Sequence, residues 1–128
     1  MVIHVDNIKR SIFLLLFLLF TGVVIYFLSL NKTKILFYNL REYTLNNDIK
    51  SLEVLLDDKL KKIVLNKISI ELISKKLEER ETKKISIDGF NIGEKTIFST
   101  VYFSDDFMDF SIAYKNQTWV VSQISFSH

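Results

Sequence analysis

Apolar and polar residues change their spacing twice along this 128-residue chain, and each change marks a different kind of element. From Ile12 to Leu30 there is no alternation at all: IFLLLFLLFTGVVIYFLSL carries no charge, and 16 of its 19 residues are apolar. A helix of that length rises about 28 Å, close to the ~30 Å hydrocarbon core of a bilayer. The pattern therefore predicts a short N-terminal tail over 1–11 and a transmembrane helix over 12–30. With no Pro and only Gly22 in mid-span, the backbone ladder can close every amide inside lipid. Two other readings fit less well. A buried core helix this apolar all round would consume the rest of the chain to wrap it. A cleaved secretory signal has a shorter apolar run and a small-x-small site, whereas Phe27-Leu28-Ser29 puts a ring where a small residue is needed.

After the span the spacing becomes helical. Leu36, Leu40 and Tyr43 continue from it with no Pro or Gly between, so the first helix of the soluble part is expected to extend the transmembrane one. Asn46-Asn47-Asp48 breaks the pattern, with Asn46 or Asn47 as the expected cap of the next helix and Asp48 suited to its positive end. Ile49, Leu52, Leu55, Leu56, Leu60 and Ile63 then read as one stripe of a second helix. A third is expected from Ser69, with Glu71 in its first turn, an Ile68–Ile73 staple, and Leu72, Ile73 and Leu77 inward.

From Lys84 the period falls to two. Four strands are predicted, Ile85–Ile92, Thr96–Ser104, Phe107–Lys115 and Thr118–Phe126, joined by links so short that only antiparallel hairpins fit. Ile85 and Ile87 keep one face with Phe90 and Ile92 only if a bulge lies at Asp88-Gly89; Trp119 and Val121 slip phase against Ile124 and Phe126 in the same way. The second strand is apolar on both sides, Ile97, Val101 and Phe103 alternating with Phe98 and Tyr102. One side covers the helices, and the other needs a lid, a ligand or a partner. The expected fold class is α+β: one N-terminal transmembrane helix, then two or three helices (about 33–81) packed on a curved four-stranded antiparallel meander (about 84–126) in a soluble domain, 31–128.

Composition narrows the chemistry. The chain has no Cys, which excludes a disulfide scaffold, a Cys-ligated metal and lipidation at Cys. Residues 31–128 hold 15 basic and 14 acidic side chains, and the lysines at 59–62, 75–76 and 83–84 are interleaved with Glu78, Glu79 and Glu81. So dilute a basic stripe reads as a solvated face, and no nucleic-acid partner is expected. Lys9 and Arg10 before the span face Lys32, Lys34 and Arg41 after it, nearly a tie on the positive-inside rule. The orientation of an uncleaved signal anchor, N-terminus inside, places the C-terminal domain outside the cytoplasm.

The helices-first order, the Asn-Asn-Asp break, the long bulged hairpins and the closing Trp119-Val120-Val121-Ser122-Gln123-Ile124 together resemble the nuclear-transport-factor-two-like superfamily, above all small bacterial members tethered by one N-terminal span. The resemblance covers roughly Lys34 to Phe126 and lies in pattern rather than in a motif. It implies a cone in which a curved sheet wraps helices around a cavity, often with pairing through the sheet, and a bacterial cell-membrane setting. Its members include enzymes, ligand binders and scaffolds, among them an extracytoplasmic assembly subunit of type IV secretion systems, so fold alone gives no function.

The enzymes of that superfamily place Asp, His or Tyr inside the cone. Here the histidines are His4 and His128, one before the span and one at the end of the sequence, which leaves none for a base or a metal site within the domain. Asp57-Asp58 reads as a solvated helix face, Asp105-Asp106 as a hairpin turn, and Asp109 as lying opposite Met108 and Phe110. Tyr43, Tyr102 and Tyr114 have no recognisable partner. No catalytic residue, cofactor or metal is therefore expected, and no enzyme. The expected function is a single-pass, membrane-anchored extracytoplasmic binding or assembly module, held in the lipid bilayer through Ile12 to Leu30. It would act by contact with a protein partner or by self-association, with Phe98, Tyr102 and Trp119 as the candidate interface. The alternative is a cone with an open pocket that binds a small apolar ligand or does chemistry.

Overall fold

The run from Asn31 to Leu45 contains neither Gly nor Pro, and the helix that begins in the apolar segment passes through it unbroken. The computed structural model of the chain describes residues 5–127. Its elements are α1 (Val5–Leu45), α2 (Ile49–Leu55), α3 (Asp58–Val64), α4 (Lys67–Glu78), β1 (Lys84–Asn91), β2 (Thr96–Tyr102), β3 (Phe107–Lys115) and β4 (Thr118–Phe126). The fold is α+β, with the four strands in one open antiparallel sheet of order β1-β2-β3-β4.

At 41 residues α1 is about 61 Å long and has two personalities. Its apolar part is long and apolar enough to cross a membrane, and none of that stretch is buried against protein. Beyond it one side turns inward, burying Thr33, Leu36, Phe37, Leu40 and Thr44. Thr21, Thr33 and Thr44 each donate their hydroxyl to the carbonyl one turn back, at 2.8 Å, so these three hydroxyls are satisfied within the helix.

The second predicted helix is two. Leu56 is extended and bridges Val121 in parallel, the Asp57 amide donates to the Val121 carbonyl at 2.8 Å, and α3 starts afresh at Asp58. The interruption turns the later part of the stripe: Leu52, Leu55, Leu56 and Leu60 are buried, but Ile63 points to solvent and Val64 takes the inward position. The cap of α2 is Asp48, whose carboxylate accepts from the Ser51 amide and hydroxyl, while Asn47 takes a positive φ of 54° in the turn before it. Likewise α4 begins at Lys67 and not at Ser69, because the Asn66 side chain accepts from the Ile68 amide. Ile68 and Leu72 then face outward, and Ile70 and Leu77 bury.

In the sheet the strands fall close to their expected limits, and both phase slips are real bulges. Asp88 is the extra residue between the Ile87 and Gly89 pairs, and Ser122 the extra residue opposite the Ser111–Ile112 step. Thr100 donates to the Asp88 carboxylate, fixing the first bulge to the neighbouring strand. The β3–β4 hairpin turns on Asn116 and Gln117, both at positive φ, as a two-residue turn with the natural sheet twist requires. The helices cover one face of the sheet, and the shared interior is closed: Phe37, Leu40, Leu52, Val101, Met108, Phe110, Ile112 and Val121 have no exposed surface. Phe37 meets Phe110 edge to face at 5.7 Å.

Candidate interaction surfaces

Because side chains alternate across a strand, the residues between the core positions form a second face, and no helix covers it. On β2 these are Thr96, Phe98, Thr100 and Tyr102; the register sets Tyr102 beside Phe107 and Phe98 beside Ser111. Phe98, Tyr102 and Phe107 are 37%, 40% and 44% exposed, whereas Thr96, Thr100, Ser111 and Ala113 between and beside them are buried. The outer face is thus a relief of three aromatic rings beside a small-residue floor. A groove of about 470 Å³ runs along that floor past Ser111, Ala113 and Gln123, with the Lys115–Asp57 ion pair (3.0 Å) at its edge.

Trp119 lies elsewhere. Its register partner is Tyr114, two residues from Ile112, so both rings are on the helix-facing side; they stand 5.4 Å apart, and Trp119 packs against the core. The three residues singled out in the sequence therefore divide, Phe98 and Tyr102 on the open face and Trp119 at the end of the sheet nearest the apolar part of α1. Trp119 separates two surface grooves there. One, of about 410 Å³, lies toward Tyr43 and Leu55; the other, of about 580 Å³, lies toward Ile25 and Ser29 of α1 and Phe90 and Ile92 of the β1–β2 hairpin.

The acidic candidates have structural partners or face water. Asp57 sits at the α2–α3 break and pairs with Lys115, Asp58 pairs with Lys61 at 3.2 Å, and Asp106 pairs with Arg80 at 2.7 Å. That last contact ties the β2–β3 turn to the end of the helical layer, where the Arg80 guanidinium also lies over the Phe103 ring. Asp105 and Asp109 are exposed. His4 and His128 lie outside the described residues, and among the described residues no cluster of three or more His, Asp and Glu side chains could hold a metal. Phe107 is the exposed ring of this face that the spacing alone did not single out. The signal was present, because a turn centred on Ser104–Asp106 makes Phe107 the neighbour of Tyr102.

No protein-family model, no curated protein and no solved structure matches the chain.

Proposed function

We propose that this is a single-pass membrane protein, built on the nuclear-transport-factor-two-like plan, whose head works outside the cytoplasm of a bacterial cell as a non-enzymatic binding or assembly module. The contact it makes is with protein, in the first instance a second copy of itself, through the outer face of the sheet. The observation that carries this reading is the asymmetry of β2 and β3: a closed interior on one side, and on the other Phe98, Tyr102 and Phe107 left partly open to water. A small-ligand pocket inside the head would need space that the eight fully buried core side chains already occupy.

A shared bilayer favours the self-contact. Anchored copies stand at the same height and in the same sense, so a two-fold axis along the membrane normal brings each aromatic cluster to its own equivalent, and tethering raises their effective concentration. Four strands about 4.8 Å apart and eight residues long offer roughly 500 Å² per copy, below the ~800 Å² of a standard interface. The association is therefore weak and reversible. The chain contains no cysteine, so cysteine pairs can be introduced without background. Oxidative cross-linking in membranes should give a dimer from Phe98→Cys or Tyr102→Cys and none from Val54→Cys on the exposed side of α2. Equal yields from the two faces would defeat the proposal.

A further inference from the structure

The second surface concerns the end of the head nearest α1's apolar run. Ile25 and Ser29 lie one turn apart on one side of that helix, and both line the groove that Phe90 and Ile92 complete. They fall within the run that ends at Leu30, and Ile25 is only about 7.5 Å short of that end along the axis. Leu30 itself packs against the head's core, so the head is fixed to the helix at this level with no linker between them. The β1–β2 hairpin thus stands at the depth where a bilayer around Ile12–Leu30 passes from acyl chains to headgroups.

What the hairpin presents there suits that layer. Ile92 is 89% exposed and Phe90 48%, at the tip of a turn whose shape is set by Asn91 accepting from the Glu94 amide and by Lys95 donating to the Ile92 carbonyl. The Tyr114 amide donates to the Lys95 carbonyl, holding the tip against β3. Beside it stand the Tyr114–Trp119 pair and the Lys95 ammonium, 5.9 Å from the Tyr114 ring centre. No carboxylate lines this groove, since the exposed Glu94 of the same turn lines the groove on the outer face of the sheet instead. Amphipathic rings and a long-stemmed cation around an apolar tip are the side chains that favour the headgroup boundary. In water the same tip would leave an almost bare isoleucine at a turn, where a polar residue would serve better.

We propose that the head is seated on the lipid surface itself: Phe90 and Ile92 enter the headgroup–acyl boundary of the leaflet around Ile25–Leu30, with Tyr114, Trp119 and Lys95 at the level of the headgroups. This rests on the reading of α1 as membrane-spanning. The seat is a second, peripheral contact beside the span. It keeps the open sheet face away from lipid and available to protein, since Phe98 and Tyr102 lie on the opposite side of the strands from Ile97, which lines the groove.

The test uses the full chain in phosphatidylethanolamine–phosphatidylglycerol vesicles, with a fluorophore on a single cysteine at Ile92→Cys, at Asp105→Cys in the far hairpin, or at Leu18→Cys in mid-span. The label at 92 should be several-fold less open to aqueous iodide than the label at 105, and quenched by lipids spin-labelled near the headgroup. Iodide access at 92 equal to that at 105, with 18 protected, would overturn the seat and leave the span standing. Protection at 92 without quenching from lipid would mean a protein contact, and would overturn it as well. Iodide reaching all three positions would remove the span and the seat together.

Discussion

The two faces of β2 and β3 are made from alternate residues of the same strands, yet they obey different rules. On the inner face Val101, Met108, Phe110 and Ile112 are sealed beneath α1 and the shorter helices, and even the polar Ser99 has its hydroxyl committed, donating to the Phe110 carbonyl at 2.6 Å. On the outer face the large side chains are the exposed ones, and the small ones are buried by their neighbours. A core places bulk where water is absent, whereas here bulk is placed where another surface can reach it. The difference teaches where to look for each effect: substitutions on the inner face should cost stability, and substitutions on the outer face should cost association.

Phe110→Ala offers the largest break in that contrast. Removing a fully buried ring that meets Phe37 should lower unfolding stability by about 3 to 5 kcal/mol, read by chemical denaturation of the full chain in detergent. A loss under about 1 kcal/mol would show that the inner face is not the sealed layer described. Next, Leu55→Ala should cost roughly 2 to 5 kcal/mol, while Ile63→Ala, on what would have been the same helical stripe, should stay within about 0.5 kcal/mol. Equal losses at the two would restore one continuous helix in place of α2 and α3. Asp57→Ala removes an ion pair whose lysine is half exposed, so about 1 kcal/mol or less is expected, shrinking further in high salt. Tyr102→Ser should also stay within about 1 kcal/mol in stability, although it should abolish the cross-link formed through Phe98→Cys. If Tyr102→Ser unfolds the head, the outer face is doing the work of a core.

The last third of the molecule, after Lys84, was legible from its residues because strand pairing there is local. Each hairpin link is two to four residues, so one count of the period fixes register, and a phase slip has no reading except a bulge; Asp88 and Ser122 are where the slips pointed. The helical part was less so. The break at Leu56 is imposed by Val121 in the last strand, and nothing near Leu56 in sequence announces a partner so far along the chain. Ser69 followed by Glu71 offered a start with good local chemistry, and drew the expected helix start past Asn66, which makes the cap. Of the candidate surface, Phe98 and Tyr102 share a face by simple alternation. Trp119 parts from them because the two-residue turn at Asn116-Gln117 pairs it with Tyr114. The groove against Ile25 and Ser29 could not be read at all, since it depends on how the sheet lies along α1.

The unbroken course of α1 also makes the protein a lever. Helices resist bending over a few turns, and no Gly or Pro lies between Leu30 and Leu45 to act as a joint. On the proposed reading of α1 as membrane-spanning, a partner that tilts or rotates the sheet turns the apolar shaft with it, and a change in bilayer thickness that leans the shaft re-aims the sheet. Under that proposal, mechanical state on one side of the membrane surface is geared directly to the other.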